Sequence, residues 1–201
     1  MGRLKLTLPL GDKKLIEWVL EAAQWSSLDK IILVIRPEDK EIFKLGECHG
    51  AEIVLNPDFR QGMSTSIKAA LSRLDLPEPE AGGFILILGD QPLIDFQIIN
   101  KLIESFSPGK GEIIVPYFKG KRGNPVLFDF CWKDELMRIS GDTGGRALIK
   151  AYPDKLKRIN ISSPAILWDI DEEKDYLKIQ TYLQHWQRAE NSKGKRRTEF
   201  E

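Results

Sequence analysis

The segment that most constrains the fold is an unbroken apolar run, Phe84–Leu88, which stands between a Gly82-Gly83 pair and Gly89. Five consecutive apolar residues are too few for a typical helix, and they are typical of a strand buried on both faces of a parallel sheet. Asp90 follows the run, and Pro92 then ends the strand. Ligands of open α/β sheets bind beyond the carboxyl ends of strands. Asp90 is therefore either a ligand of a metal or substrate, or a cap of the turn or of the next helix.

The rest of the chain alternates between short apolar runs, which predict strands, and amphipathic stretches, which predict helices. Asp12 is expected to cap the first helix. The predicted strands are 31–35, 51–55, 84–88, 113–115 (cut by Pro116), 155–161 and 165–170, and the predicted helices are 12–25, 38–45, 64–74, 95–106, 147–151 and 172–187. This alternation predicts an α/β fold, with a mostly parallel sheet between two layers of helices.

Composition favours one domain, which we place at residues 1–188, followed by a basic and flexible tail at 189–201. Lysine plus arginine and aspartate plus glutamate number 30 each, so no overall charge points to nucleic acid or a membrane surface. No apolar run approaches the ~20 residues of a membrane span. The two cysteines, Cys48 and Cys131, form no C-x-x-C pair. A cytoplasmic protein is expected.

Three polar loops are candidates for binding anions. Gly62 with Ser64–Ser66 opens a predicted helix, and this suits either an anion or polar ring edge, or ordinary capping of the helix. Ser140–Arg146 is rich in glycine and also precedes a helix, yet it matches neither a P-loop nor G-x-G-x-x-G. The basic tip 119–122 suits a phosphate or a solvated turn.

A second pair of carboxylates, Asp169 and Asp171, follows the predicted strand 165–170. Mg²⁺ typically takes one or two protein carboxylates and completes its shell with waters and substrate phosphates. Together with Asp90 and the polar loops, these residues describe nucleotidyl transfer, in which a phosphate oxygen attacks the α-phosphorus of a nucleoside triphosphate and pyrophosphate leaves. An anionic nucleophile needs no strong base, which agrees with the presence of only two histidines, His49 and His185.

The order of the motifs resembles one family, the molybdenum cofactor cytidylyltransferases, which are relatives of the molybdopterin-guanine dinucleotide enzymes and have a Rossmann-like nucleotidyltransferase fold. The resemblance extends to about residue 186. The matching segments are Met1-Gly2-Arg3-Leu4-Lys5 with Leu8–Gly11, Asn56-Pro57 with Gly62–Ser66, Leu88–Pro92, Arg122–Phe128, Ser140–Arg146 and Asp169–Asp171.

The resemblance implies transfer of CMP from CTP to molybdopterin, with Mg²⁺ as the metal and a molybdoenzyme or its chaperone as a further partner. It implies that Asp90 and Lys5 are catalytic and that Asp90, Asp169 and Asp171 hold the metal. The implied nucleotide-binding residues are Lys5, Lys13, Asn56, Gly62, Met63, Ser64 and Ser66. The implied pterin-binding residues are Arg122, Gly123, Asn124, Pro125, Gly144, Gly145 and Arg146. Asn124 stands where the family usually has histidine.

The front of the chain departs from the family pattern L-A-A-G-x-S-x-R-M-G-x-x-K, because this sequence begins at the methionine of that motif. The absent part would supply a central strand and N–H groups that cradle the triphosphate, so its loss would expose two sheet edges. The intact downstream motifs favour a reading frame that begins upstream over a truncated relative. We therefore expect these 201 residues to bind Mg-CTP weakly and to turn over slowly.

Two other functions are open at this point. One is a nucleotidyltransferase of the same fold that uses GTP or acts on a sugar phosphate. The other is a non-catalytic carrier that keeps a pterin site. Release of pyrophosphate from each nucleoside triphosphate in the presence of molybdopterin separates them, since a carrier releases none.

Overall fold

The computed structural model describes residues 5–74 and 82–184, and within them the predicted α/β fold is confirmed. The strands are β1 (Pro9–Leu10), β2 (Lys13–Lys14), β3 (Ile32–Ile35), β4 (Glu52–Leu55), β5 (Gly83–Leu86), β6 (Ile113–Phe118), β7 (Lys121–Arg122), β8 (Val126–Asp129) and β9 (Leu156–Asn160). The helices are α1 (Leu15–Gln24), α2 (Lys40–Cys48), α3 (Met63–Leu71), α4 (Phe96–Glu104), α5 (Lys133–Arg138), α6 (Arg146–Ala151) and α7 (173–184). The predicted tail at 189–201 lies outside the described residues.

Helices cover both faces of the main sheet, and β5 shows this by alternation. Phe84 and Leu86 pack with α3, α5 and α6 in a cluster around Phe128. Ile85 and Ile87 belong to a second cluster, in which α1 and α4 take part. Since successive side chains of a strand point to opposite faces, the sheet lies between two helix layers.

The main sheet is mixed, with strand order β5-β8-β6-β7 and β9 on the other side of β6. β6 and β9 are parallel, whereas β8 runs antiparallel to both β5 and β6. The antiparallel insertion arises because the chain turns back after the β6–β7 hairpin and returns between β5 and β6. The mostly parallel arrangement that the α/β alternation predicts therefore applies to β3–β4 and β6–β9, and not to β8.

β3 and β4 form a separate parallel pair. Within the described residues β3 pairs only with β4, and β5 pairs only with β8, so each strand has one edge without a strand partner. α3 packs against β3 and also against Leu86 of β5, and it thereby joins the two sheets. Phe84–Leu86 are only half-buried, whereas Ile113–Val115 of β6, which lies between two strands, are fully buried.

Pro116 does not end its strand, contrary to the prediction, because β6 continues to Phe118. The Tyr117 carbonyl accepts from the Ile161 N–H on the β9 side, so the neighbouring Pro116 nitrogen faces the opposite side. Pairing of β6 with β8 has already ended at Ile114 there. The missing N–H of proline therefore costs no ladder hydrogen bond.

The predicted strand 165–170 is wrong, since Pro164–Leu167 form a 3-10 turn. Pro164 stands at the start of the turn, where no N–H is needed, and the Ser163 hydroxyl caps it through the Ala165 N–H. The apolar run reflects burial, because Ala165, Ile166 and Ile170 are nearly inaccessible. Asp169 and Asp171 consequently follow a turn, not a strand.

The first helix begins later than predicted. Asp12 lies in a turn between β1 and β2, and Lys14 is the residue before the first helical turn. The Glu17 carboxylate accepts from the Lys14 N–H and completes a capping interaction. Asp12 as the cap is therefore wrong. Among the described residues, no helix is both long and apolar enough to cross a membrane.

Candidate active site

The strand registers bring the predicted site segments to one edge of the main sheet. Asp90 lies just beyond the carboxyl end of β5, and Leu86 of β5 stands opposite Val126, the first residue of β8. The carboxyl end of β6, which leads into the basic tip, lies at this edge because β6 is also antiparallel to β8. Gly145 lies close to the same edge, since a β-carbon on it would lie 2.8 Å from the Phe128 ring and 3.5 Å from Leu86 Cδ1.

The centre of the candidate site is an ammonium between two carboxylates. Lys5 Nζ donates to Asp90 Oδ2 at 2.9 Å and to Asp171 Oδ1 at 2.8 Å. The side chains of Lys5 and Asp90 are 17% and 27% exposed, whereas that of Asp171 is 67% exposed. Burial alone would lower the pKa of Lys5, but the bonds to Asp171 and Asp90 outweigh it and raise that pKa above its usual value.

Backbone contacts hold the two carboxylates together. The Ile170 N–H donates to the Asp90 carbonyl at 3.0 Å, and the Ile170 side chain is fully buried in a cluster with Leu10 and Leu15. This anchor places Asp171 beside Asp90 although 81 positions separate them in the sequence. The 3-10 turn Lys5–Thr7 is fixed in a similar way, because Leu6 packs against the same cluster.

The site differs from the predicted set of three aspartates. Asp169 is exposed, and among the described residues no hydrogen bond or ion pair joins it to Lys5 or Asp90. Within residues 5–74 and 82–184, no group of three or more His, Cys, Asp or Glu side chains is placed to hold a metal ion. The structure thus brings together Asp90 and Asp171, and leaves Asp169 outside.

Asp90 and Asp171 fit a Mg²⁺ ion in two respects. The space between them already accepts a cation, the Lys5 ammonium. Asp90 Oδ1 is buried and has no hydrogen-bond partner among the described residues, so one hard oxygen ligand is available. Mg²⁺ is commonly bound by one or two carboxylates with phosphate oxygens and water.

Gln91 is a candidate that the sequence analysis missed. Its side chain is only 2% exposed, and Oε1 has no hydrogen-bond partner among the described residues. Buried amides are normally paired, so an unpaired one beside Asp90 requires an explanation. The sequence signals that could have found it are its position directly after Asp90 and its place in the matching segment Leu88–Pro92.

Lys13 does not join the cluster. Its ammonium pairs with Glu21 of α1 and lies 4.8 Å from the centre of the Trp18 ring. These contacts hold the side chain on its own hairpin and helix. No described contact connects Lys13 with Asp90 or Lys5.

Most polar side chains of the predicted nucleotide-binding segment 56–66 form hydrogen bonds within the segment. Asn56 is buried, and its amide donates to Thr65 Oγ1 at 2.9 Å and to Ser66 Oγ at 3.0 Å. Its carbonyl oxygen accepts from the Asp58 N–H. Ser64 is also buried, whereas Met63 remains 44% exposed. Asn56 and Ser66 therefore brace the loop, and Met63 is the side chain that it presents to solvent.

The start of α3 is occupied by a carboxylate of the protein itself. Asp142 Oδ1 accepts from the Met63 N–H at 2.9 Å. Gly62 has φ 106°, and a β-carbon there would lie 2.7 Å from Asp142 Oδ1, so only glycine allows this approach. A β-carbon on Gly144 would lie 2.8 Å from Met63 Sδ. The predicted nucleotide and pterin loops are thus in contact, and Asp142 caps the helix.

The predicted pterin residues 122–125 are tied to the turn before Asp171. Asn124 N–H donates to the Ile166 carbonyl at 3.0 Å, and the Asn124–Pro125 peptide is cis. A β-carbon on Gly123 would lie 2.3 Å from the Ile166 carbonyl oxygen. Partial burial and the nearby charge of Arg146 lower the pKa of Arg122, and no described carboxylate pairs with either guanidinium.

Comparison with known proteins identifies the family. The model of the MobA-like NTP transferase domain matches residues 1–156. The chain belongs to this family. As a MobA-like NTP transferase it is a nucleotidyltransferase, and the resemblance drawn from the sequence motifs is confirmed.

Three proteins illustrate the range of those to which this chain is similar. The molybdenum cofactor cytidylyltransferase of Escherichia coli is 27% identical over 180 residues, with 88% of this chain and 87% of the relative covered. Purine catabolism protein PucB of Bacillus subtilis is 26% identical over 162 residues, with 75% of each covered. The crystal structure of Rv0371c of Mycobacterium tuberculosis in complex with manganese has a TM-score of 0.76 and 26% identity, with 90% of this chain and 93% of that chain covered.

Proposed function

We propose that this protein transfers CMP from CTP to molybdopterin and releases pyrophosphate. The observation that carries the proposal is the cluster of Lys5, Asp90 and Asp171 at the carboxyl end of β5. The similarity to a molybdenum cofactor cytidylyltransferase supports CTP and molybdopterin as substrates. A molybdoenzyme or its chaperone as receiver of the product, and a cytoplasmic location, belong to the same proposal.

In this reaction Asp90 and Asp171 would hold Mg²⁺, whose charge would stabilise the phosphates of CTP. A related structure that contains manganese supports a divalent cation. The Lys5 ammonium would pair with the phosphates next to the metal. Arg122 and Arg146, which lack a described carboxylate partner, would receive the phosphate of the pterin substrate, and that phosphate oxygen would attack the α-phosphorus.

The decisive experiment measures pyrophosphate released from CTP with molybdopterin and Mg²⁺. Asp90→Asn removes a charged metal ligand at nearly constant volume, and we expect release to fall at least about 100-fold. Asp95→Asn is the matched control. Asp95 caps α4 by accepting from the Ile98 N–H at 2.8 Å, and asparagine can keep this bond. Full turnover by Asp90→Asn would remove Asp90 from the mechanism.

The same assay tests the other functions. Faster release of pyrophosphate from GTP than from CTP would indicate that GTP is the nucleotide donor. Release that requires a sugar phosphate would indicate that the sugar phosphate, and not molybdopterin, is the acceptor. Binding of molybdopterin without release from any nucleoside triphosphate would indicate a carrier. The assay is run with CTP in excess and is followed for long enough to detect a single turnover.

A further inference from the structure

The Lys5 ammonium lies between the two carboxylates that are proposed to hold the metal. It contacts one oxygen of each carboxylate, at 2.9 Å from Asp90 and 2.8 Å from Asp171. A Mg²⁺ ion bound to the same oxygens would lie about 2.0–2.1 Å from each. The two cations cannot share this space, because a divalent ion there would overlap the ammonium and repel its charge.

The construction around Lys5 suits an exchange of cations. The backbone is fixed, since Leu6 packs into two apolar clusters and the Leu8 N–H donates to the Lys5 carbonyl. The side chain has four flexible carbons and no described partner besides the two aspartates. The backbone segments that carry the two carboxylates are joined independently of Lys5 by the bond from the Ile170 N–H to the Asp90 carbonyl. The ammonium can therefore leave while both ligands remain in place.

Without an internal cation, two carboxylates that share one ammonium would repel each other, and Asp90 is about three-quarters buried. Lys5 removes that repulsion in the protein without metal. It leaves Asp90 Oδ1 unpaired, however, so it satisfies the site only in part. A divalent ion carries twice the charge of the ammonium and can bind more oxygens. Replacement of the ammonium by the ion is therefore favoured when the ion is present.

We propose that Lys5 is an internal counter-cation that closes the divalent-cation site of the empty protein and is displaced when the metal binds. The proposal rests on the proposed function in taking Asp90 and Asp171 as the metal ligands. It assigns Lys5 a positioning role before catalysis. Displacement releases the ammonium for the incoming phosphates, so metal binding and exposure of Lys5 are coupled.

The first test measures Mn²⁺ affinity without nucleotide, from the paramagnetic resonance signal of the free ion. Lys5→Met removes the charge and keeps the length. We expect it to bind Mn²⁺ at least about tenfold more tightly, because the competing positive charge beside the two carboxylates is lost. Lys5→Arg keeps the charge and is expected to stay within about threefold of the unsubstituted protein. Lys14→Met is the control for charge alone, because Lys14 pairs with Glu41 outside the site.

A gain in Lys5→Met that disappears in Lys5→Met/Asp90→Asn supports the proposal. Equal or weaker binding by Lys5→Met overturns it, as does a similar gain in Lys14→Met. The result is distinct from that of the pyrophosphate assay. If the unsubstituted protein releases pyrophosphate but Lys5→Met gains no Mn²⁺ affinity, the proposed function stands and the exchange is rejected. If Lys5→Met gains affinity but the unsubstituted protein releases no pyrophosphate, the exchange stands and CMP transfer is rejected.

A second test needs no substitution and therefore does not depend on the folding of a variant. Lys5 in the full chain is labelled with an amine-reactive ester, and the rate is followed by mass spectrometry with and without saturating Mn²⁺. We expect Mn²⁺ to speed the labelling of Lys5 severalfold and to leave Lys14 unchanged. An unchanged or slower rate at Lys5 would show that the ammonium stays between the aspartates and would overturn the proposal.

Discussion

At the residue scale, neighbouring groups decide what each side chain of the site can do. One oxygen of Asp90 pairs with Lys5, and the other is buried without a described partner. Gln91 repeats this pattern with its amide oxygen. Two unpaired buried oxygens on adjacent residues are costly to keep in a folded protein, by about 1–3 kcal/mol each. Such groups are typical of sites that gain their partners from a ligand.

The environment of the Cys131 thiol predicts how its reactivity depends on pH. Partial burial, and then a hydrogen bond to the Asp129 carboxylate, raise the pKa of its thiol to about 11. Only about one thiol in a thousand is then ionised at pH 8. In a Cys48→Ser variant, alkylation of Cys131 by iodoacetamide should rise about tenfold per pH unit from pH 8 to pH 10. A rate that levels off below pH 9 would contradict the raised pKa.

At the scale of elements, the start of α3 depends on a loop that is distant in sequence. Asp142→Ala removes the carboxylate that accepts from the Met63 N–H. We expect the free energy of unfolding to fall by about 1 kcal/mol, the usual worth of a helix cap, as measured by urea denaturation. Asp12→Ala is the comparison, because Asp12 is exposed and caps no helix in the structure. A larger loss for Asp12→Ala would reverse this assignment.

Local signals in the sequence predicted the elements that such signals determine. The run Phe84–Leu88 is a strand in its first part, and the helix after Asp95 begins where its carboxylate caps it. Two predictions were wrong, the end of a strand at Pro116 and the strand 165–170. Contacts between residues distant in sequence decide the structure at both places. Pro116 is tolerated since its nitrogen faces away from β9. Ala165, Ile166 and Ile170 are buried, although Pro164–Leu167 form a 3-10 turn and not a strand.

The candidate site divides in the same way. Asp90 was predicted from its residue type and its position after a strand. Asp171 was predicted to follow a strand that the structure shows as a turn, and Lys5 was predicted from the family resemblance. The exclusion of Asp169 and the capping of α3 by Asp142 depend on the paths of loops, which no periodic pattern in the sequence records. The hydrogen bond from the Asn56 amide to the Ser66 hydroxyl likewise depends on the folded path of the loop.

At the scale of the whole molecule, the sheet is divided between β3 and β5. Helix α3 packs on both strands, and α1 packs with Ile35 of β3 and with Ile87 beyond β5. The two helix layers thus continue across a place where the described strands are not hydrogen-bonded to each other. Side-chain packing, and not a continuous ladder, therefore joins the two halves of the molecule at this place.

The divided sheet predicts an alternating pattern of amide exchange. The Phe130 N–H donates to the Gly82 carbonyl, so the register directs the Phe84 and Leu86 N–H groups toward β8 and the Ile85 N–H toward the open edge. In β3, the bond from the Asn56 N–H to the Ile35 carbonyl likewise turns Val34 toward the open edge. Hydrogen exchange followed by NMR should show Ile85 and Val34 at least about 100-fold less protected than Leu86.

The internal standard for that measurement is β6, which has strands on both sides. Ile113 and Ile114 are fully buried and pair with both β8 and β9, so adjacent amides there should be protected alike, without alternation. Equal protection of Ile85 and Leu86 would mean that a strand covers the open edge in solution. In that case the two halves would be joined by a continuous ladder, and packing by α1 and α3 would not be their main connection.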